Sequence, residues 1–217
     1  MNALELDFTL QSAEPLRFGA SPHITFKLKV ANNSDTGIHS VILRSQIQLE
    51  AARRHYSEAE QAGLQDLFGD PSRWGDTVRS LLWANTGTVI PAFARETMVD
   101  LQVPCTFDFN VATTKYFAGI REGDIPMTCL FSGTVFYDGG EGALQAAQIP
   151  WEKEATYRLP VRVWHELMNS YYPNVAWLSL RRDVFERLYQ YKIDRGLPTF
   201  EEALLDILED KVKARIA

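Results

Sequence analysis

Cysteine and histidine are the side chains of this sequence best suited to metal binding or nucleophilic chemistry. The 217 residues contain two cysteines and four histidines, namely Cys105, Cys129, His23, His39, His55 and His165. Neither cysteine belongs to a CxxC pair, and the histidines stand too far apart in sequence for a local zinc motif. We therefore expect the protein to carry no metal ion and no cofactor.

The two cysteines each lie in an apolar, strand-like segment. A disulfide between Cys105 and Cys129 would require their strands to be neighbours, and a reducing compartment would disfavour it. We favour the alternative, in which both are buried thiols that act as small apolar side chains.

Motifs for phosphate binding and acyl transfer are missing from the sequence. It contains no GxxxxGK[ST], no GxGxxG after a strand, no HExxH and no GxSxG. The glycine cluster at 139–142 lacks the basic residue and the following helix of a phosphate loop, so it predicts a hairpin turn. No catalytic residue is predicted.

The charge distribution favours protein partners over nucleic acid. The net charge is −6, and residues 1–150 carry 11 basic and 17 acidic side chains, whereas residues 151–217 carry 11 of each. An acidic body repels phosphate backbones. No apolar run approaches the roughly 20 residues that span a bilayer, and the first residues lack the pattern of a signal peptide. We expect no membrane insertion and a cytoplasmic location.

Two short segments pair a tryptophan with an arginine and are the candidate interaction sites. Trp151 and Arg158 lie in a segment rich in charges, where they could anchor a protein interface. The alternative, which we favour there, is an edge strand with its charges in water. Arg73 and Trp74 lie among turn residues, and Trp74 either closes the end of the fold or is exposed for contact.

These segments must be positioned by strands, because the first part of the sequence alternates with period two. Leu4–Leu10 and Ile24–Val30 alternate apolar and polar residues, which is typical of half-buried strands. Further strands are predicted at about 38–52, 79–90, 96–103, 105–113, 127–137, 144–149 and 155–159. Eight or nine strands favour an antiparallel β-sandwich. Its predicted core comprises Leu6, Phe8, Phe26, Leu28, Ile47, Leu49, Phe107, Phe109, Phe131 and Val135.

Helical patterns interrupt and follow the strands. Ser57 and Glu60 have the spacing of a capping box, and Gly69 and Asp70-Pro71 indicate a helix end and a new turn, so residues 57–78 form a helical insertion. From Pro160 onward, apolar residues recur with helical period. The prediction is a mainly β, α+β protein: a sandwich domain over 1–160 and a helical C-terminal extension over 161–217 that packs on it.

Six blocks across the chain together resemble a bacterial family of unknown function that occurs beside genes for uptake [NiFe]-hydrogenases. The blocks are DLFGD (66–70), RWGDT (73–77), VPCTFDF (103–109), LFSGTVF (130–136), PWEKEA (150–155) and RRD (181–183). The resemblance implies an accessory role and brings no catalytic residues with it.

Two classes of function remain open from the sequence. We favour a non-catalytic accessory or interaction protein that supports assembly or docking of a [NiFe]-hydrogenase or another multi-subunit redox enzyme. It predicts exposed aromatic residues on one face. The alternative is a small enzyme or ligand-binding protein with a site between the sandwich and the C-terminal helices. It predicts a concave pocket with converged carboxylates or histidines.

Overall fold

A computed structural model describes residues 4–139 and 143–216 of the protein. Eight strands within these residues form two antiparallel sheets, which confirms the predicted sandwich. The strands are β1 (Leu6–Pro15), β2 (His23–Asn32), β3 (Ile38–Leu49), β4 (Leu81–Ile90), β5 (Glu96–Pro104), β6 (Asp124–Asp138), β7 (Leu144–Gln148) and β8 (Glu154–Pro160). The α-helices are α1 (Glu58–Phe68), α2 (Trp74–Thr77), α3 (Val111–Gly119), α4 (Val161–Tyr171), α5 (Arg182–Asp194) and α6 (Phe200–Ile216).

The two sheets differ in size and connection. The smaller has the order β1-β2-β5, and the larger has the order β4-β3-β6-β7. Strand β6 is 15 residues long, and one of its edges pairs with β3. Its other edge pairs with β8 near the start of β6 and with β7 near its end. Two short strands therefore share one edge of β6, and the 149–153 loop joins them.

The core lies between the sheets and follows the alternation in the sequence. In β2, Ile24, Phe26, Leu28 and Val30 are fully buried, and the residues between Phe26 and Val30 are half-buried. Eight of the ten predicted core residues are buried, namely Leu6, Phe8, Phe26, Leu28, Ile47, Leu49, Phe131 and Val135. Period-two alternation identified this face because adjacent strand residues point to opposite sides of a sheet.

The predicted strand at 105–113 is wrong, because this segment turns and enters α3. The Asn110 side chain caps α3 by accepting a hydrogen bond from the Thr113 N–H at 3.2 Å. As a result, Phe107 is only half-buried against the core and Phe109 is 42% exposed. Apolar residues at alternate positions do not specify a strand when an asparagine offers a helix cap.

The helical insertion is confirmed. The Ser57 hydroxyl accepts from the Glu60 N–H at 3.4 Å, and the Glu60 carboxylate accepts from the Ser57 N–H at 3.0 Å. The Asp70 carboxylate accepts from the Ser72 N–H and starts a 3-10 turn over Pro71–Arg73, which leads into α2. Capping interactions are local, which explains why a few residues were enough to locate the helical insertion in the sequence.

The chain forms two compact units, Met1–Asn174 and Val175–Ala217. The first unit includes α4, which packs against β1, β2 and β8 through an apolar face that contains Val161, Trp164, Leu167 and Met168. The second unit contains α5 and α6, which pack against each other. Among the residues described, no helix is both long and apolar enough to cross a membrane.

Candidate functional site

The residues that could bind a metal ion remain apart in the fold. Among the side chains described, over 4–139 and 143–209, no group of three or more His, Cys, Asp or Glu is placed to hold a metal ion. Cys105 and Cys129 are both free and buried. Burial raises the pKa of each thiol to about 12, so neither is a thiolate at neutral pH.

Two cavities border α4 in the first unit. One, of about 580 Å³, is lined by residues 15–18 and by part of α4, and the other, of about 490 Å³, includes Arg121, Arg162 and His165. His165 donates from Nε2 to the Ile120 carbonyl oxygen at 2.9 Å. Each cavity is lined by a single carboxylate, Glu166, so neither provides the carboxylate pair of general acid–base catalysis.

The most strongly perturbed carboxylate belongs to an ion pair at the base of the insertion. Arg54 and Glu60 form a two-pronged pair with N···O distances of 2.9 and 3.1 Å, and their side chains are 10% and 5% exposed. Burial opposes ionisation of Glu60, but hydrogen bonds from Arg54 and from the Ser57 and Arg121 N–H groups outweigh it. Together they lower the pKa of Glu60 to about 2.

Arg54 also connects distant parts of the chain. It donates from Nε to the Asp124 carbonyl oxygen at 3.2 Å and from a terminal nitrogen to the Glu122 carbonyl oxygen at 2.6 Å. The guanidinium lies 5.1 Å from the centre of the Tyr56 ring. All of these partners belong to the protein itself, so we interpret the pair as a structural clamp between the insertion and the start of β6.

Next to this clamp, two tyrosine hydroxyls form a chain. Tyr56 donates to the Ala51 carbonyl oxygen at 2.6 Å, so Tyr116 must be the donor in the 2.8 Å contact between the two hydroxyls. Burial raises the pKa of both phenols. Both hydroxyl protons are engaged within the protein, which favours a packing role over catalysis.

The first predicted anchor, Trp74, lies half-buried in this aromatic cluster. Its ring packs edge-on against Tyr56 at 5.1 Å and Phe68 at 5.6 Å, and its Nε1 donates to the Gly69 carbonyl oxygen at 3.0 Å. The adjacent Arg73 is exposed. Trp74 therefore holds the insertion together, and only the exposed part of its ring is open to a partner.

The two residues of the second predicted pair lie apart in the fold. Trp151 is 89% exposed in the loop between β7 and β8, whereas Arg158 lies near the end of β8 and forms an ion pair with Asp124 at 3.5 Å. The Asp124 carbonyl oxygen accepts from Arg54, so the fold places Arg158 beside the clamp and away from Trp151. Binding by these anchors stays a prediction.

The helical unit, taken by itself, exposes apolar side chains on both of its long helices. The α5 stripe comprises Phe185, Tyr189 and Ile193, which are spaced four residues apart and 45%, 48% and 51% exposed. The α6 stripe comprises Leu204, Leu205 and Leu208, which are 38%, 58% and 60% exposed. Residues three or four apart lie on the same face of a helix, so each helix carries a partly exposed apolar patch. Within the unit, the Phe185 and Tyr189 rings also contact the Phe200 ring of α6, at centroid distances of 5.4 and 6.3 Å.

The outer edge of β7, in the first unit, is a second candidate surface. The five β7 residues include no charged side chain, and Leu144 is 58% exposed. Our sequence interpretation missed both this edge and the α5 stripe. The spacing of Phe185, Tyr189 and Ile193 was visible in the sequence, whereas the pairing of β7 was not.

Comparisons with solved structures give weak matches. A β-glucosidase from Kluyveromyces marxianus has 10% identity and a TM-score of 0.27, and β-glucosidase 3B from Thermotoga neapolitana has 8% and 0.27. The matches cover 72% of this chain but only 15% and 17% of those chains. A putative late embryogenesis abundant protein has 13% identity and a TM-score of 0.28, with 72% of each chain covered. These scores carry no argument about function.

Comparisons at the level of sequence are more specific. No curated protein matches the chain. A family model described as a family of unknown function, DUF6084, matches residues 3–215. The match extends over both compact units.

Proposed function

Since the chain belongs to DUF6084, a family of unknown function, we propose from its surfaces that it is a non-catalytic accessory protein that binds a protein partner. We further propose that the partner is a bacterial uptake [NiFe]-hydrogenase or another multi-subunit redox enzyme, whose assembly or docking it supports. The resemblance of its sequence blocks to a hydrogenase-associated family supports this choice. The free thiols of Cys105 and Cys129 favour a reducing compartment, and we place the function in the cytoplasm.

The observation that carries the proposal is the partly exposed apolar surface of α5 and α6. Full burial of a large apolar side chain contributes about 1.5–3 kcal/mol, so covering a half-exposed one contributes roughly 1 kcal/mol. The six side chains of the two stripes would together contribute roughly 6 kcal/mol before the entropic cost of association. A partner with an apolar groove would gain this free energy.

Several charged side chains of the helical unit pair with one another. The Asp206 carboxylate accepts hydrogen bonds from the Tyr191 hydroxyl at 2.8 Å and from Arg195 at 2.9 Å. Arg182 pairs with Glu186 one turn along α5 at 2.9 Å. These pairs join charged groups within the unit, so a partner that covers the apolar stripes need not separate them.

An enzymatic function is the weaker proposal. It would need an acid and a base free to act in one pocket. The two cavities beside α4 share one carboxylate, Glu166, and the histidine of the second cavity, His165, donates its Nε2 proton to the Ile120 carbonyl oxygen. The groups with the clearest pKa shifts in the insertion are satisfied within the protein, as in the pair of Arg54 with Glu60. We therefore favour binding over catalysis.

The test compares two paired variants of α6. Leu205→Gln with Leu208→Gln removes apolar surface from the α6 stripe, and Glu201→Gln with Glu209→Gln introduces the same residues at exposed polar positions of that helix. Binding of each full-length variant to the purified hydrogenase of the source organism is measured by calorimetry, and stability by thermal unfolding. The leucine variant should bind at least roughly ten-fold more weakly, and the glutamate variant should bind like the wild type.

Each outcome of this test decides a separate part of the proposal. If the wild-type protein does not bind the hydrogenase, that partner is wrong. If all variants bind equally, the α6 stripe is not the docking surface. If the leucine variant loses stability in parallel with binding, the stripe contributes to folding instead.

A further inference from the structure

Among the strands that the structure describes, only β6 pairs with β7, so the backbone groups on the outer edge of β7 are not covered by another strand. The Ile149 N–H donates to the Gly133 carbonyl oxygen at 2.9 Å, and the Gly139 N–H donates to the Ala143 carbonyl oxygen at 2.8 Å. The backbone groups of successive residues in a strand point to opposite edges. The backbone N–H and C=O groups of the odd-numbered residues from 143 to 149 therefore point towards β6. The N–H and C=O groups of the three even-numbered residues point away from it, at Leu144, Ala146 and Gln148.

Other outer strands of the two sheets are flanked by a neighbour. The Thr86 hydroxyl of β4 donates to the Gln102 carbonyl oxygen of β5 at 2.8 Å, which joins the two sheets on that side. On the opposite side, β1 packs against β8, and Asp7 pairs with Lys153 at 3.0 Å. Within the described residues, β4 therefore lies beside β5 and β1 lies beside β8, whereas β7 packs mainly against β6.

We propose that two copies of the protein associate by antiparallel pairing of their β7 edges about a two-fold axis at Ala146. Leu144 of one copy then faces Gln148 of the other, and each facing pair exchanges two N–H···O=C hydrogen bonds. The interface is isologous, so it closes at two copies and does not grow into a fibre. The proposal uses the first compact unit alone and is independent of the proposed function of α5 and α6.

The occupant is a second copy because the β7 edge, although short, has no charge, proline or bulge to oppose self-pairing. Exposed edge strands in proteins are protected by charged side chains, proline or bulges. The β7 segment, LQAAQ, contains no charge and no proline, and its register with β6 is regular. Identical uncharged edges meet without like-charge repulsion, and the small Ala146 side chain allows close approach at the axis.

Two exposed apolar side chains flank this edge and would be partly covered in the dimer. Leu144 is 58% exposed at one end of β7, and Trp151, three residues beyond the other end, is 89% exposed. A five-residue pairing buries less than the roughly 1,200 Å² of a standard interface. We therefore expect a weak dimer whose population depends on protein concentration.

The test uses opposite charges at the two-fold axis. Ala146→Lys and Ala146→Glu keep the ladder between β6 and β7 but place like charges directly opposite each other in a homodimer. Ala118→Lys introduces the same side chain at an exposed position of α3 and is the control. Sedimentation velocity over a wide range of concentrations gives the dissociation constant of each full-length variant and of an equimolar mixture of the two Ala146 variants.

The expected pattern is specific to this axis. The wild type and the Ala118→Lys variant dimerise alike, each Ala146 variant alone dimerises at least roughly ten-fold more weakly, and their mixture regains dimerisation. Three outcomes overturn the proposal: a wild type that stays monomeric at millimolar concentration, Ala146 variants that dimerise like the wild type, or a mixture that stays monomeric. Because the mixture contains both variants, recovered dimerisation also excludes misfolding as the cause of the loss.

Discussion

Replacing Glu60 with glutamine tests the electrostatic clamp between the insertion and β6. The substitution keeps the shape of the side chain but removes the charge that faces Arg54, whose side chain is only 10% exposed. Breaking a buried ion pair by removing one partner costs about 3–5 kcal/mol, because the remaining charge is left uncompensated. Glu58→Gln, at an exposed position of the same helix, is the control.

The magnitude follows from the pKa of Glu60. The protein lowers it from 4.5 to about 2, and one pKa unit corresponds to about 1.36 kcal/mol. Glu60 therefore contributes about 3 kcal/mol to the free energy of unfolding at neutral pH. Because the folded-state pKa is the lower one, this contribution is complete above the unfolded value of 4.5 and is lost as the pH falls towards 2.

Urea unfolding of the wild type, Glu60→Gln and Glu58→Gln at pH 7, 4 and 3 measures this contribution. At pH 7 the Glu60→Gln variant should be about 3 kcal/mol less stable than the wild type, and about half of that difference should be lost by pH 3. The control should lie within about 0.5 kcal/mol of the wild type at pH 7. A loss below about 1 kcal/mol at pH 7, or a difference that does not change with pH, would refute the clamp.

Three further predictions concern single residues. Trp74→Ala should lower the free energy of unfolding by about 2–3 kcal/mol in urea titrations, because the Trp74 ring packs in the aromatic cluster. Trp151→Ala should change it by less than about 0.5 kcal/mol. Equal losses of stability in the two variants would contradict this assignment. Cys105 and Cys129 should resist a thiol reagent at pH 8 in the native protein and react fully in denaturant, and fast native labelling would show that they are accessible. Gly133→Ala should lower the free energy of unfolding by more than about 2 kcal/mol, measured by thermal or urea unfolding. The new methyl carbon would lie 2.0 Å from the Ile42 carbonyl oxygen of β3, and the φ angle of Gly133 is +143°. A soluble variant with wild-type stability would contradict this prediction.

Local patterns determined the elements of this protein. Alternation in β2 predicted which residues are buried, and the four residues Ser57–Glu60 sufficed to locate the start of α1. These signals act within one strand or one helical turn, so they are complete in a short stretch of sequence. Where two local signals competed, as at Phe107–Asn110, the helix cap prevailed over the alternation, and our strand prediction failed.

Contacts between distant segments decided where the candidate surfaces lie. The partners of Glu60 include Arg121, 61 residues away, so the clamp could not be recognised from spacing. Trp74 and Trp151 are similar in sequence, each a tryptophan among polar residues, yet one packs on Tyr56 and the other is 89% exposed. Their difference depends on which strands and helices meet, because burial is a property of the assembled fold.

The exposure of the β7 edge and of the helical stripes also depends on the assembled fold. The sequence by itself predicted a strand at 144–149 and a helical period from Pro160 onward, and the structure has β7 over Leu144–Gln148 and α5 over Arg182–Asp194. Only the tertiary structure decided that β7 and β8 share one edge of β6, which leaves the backbone groups of Leu144, Ala146 and Gln148 facing outward. Whether a strand is central or at an edge depends on its neighbours, and a strand has the same local pattern in both positions.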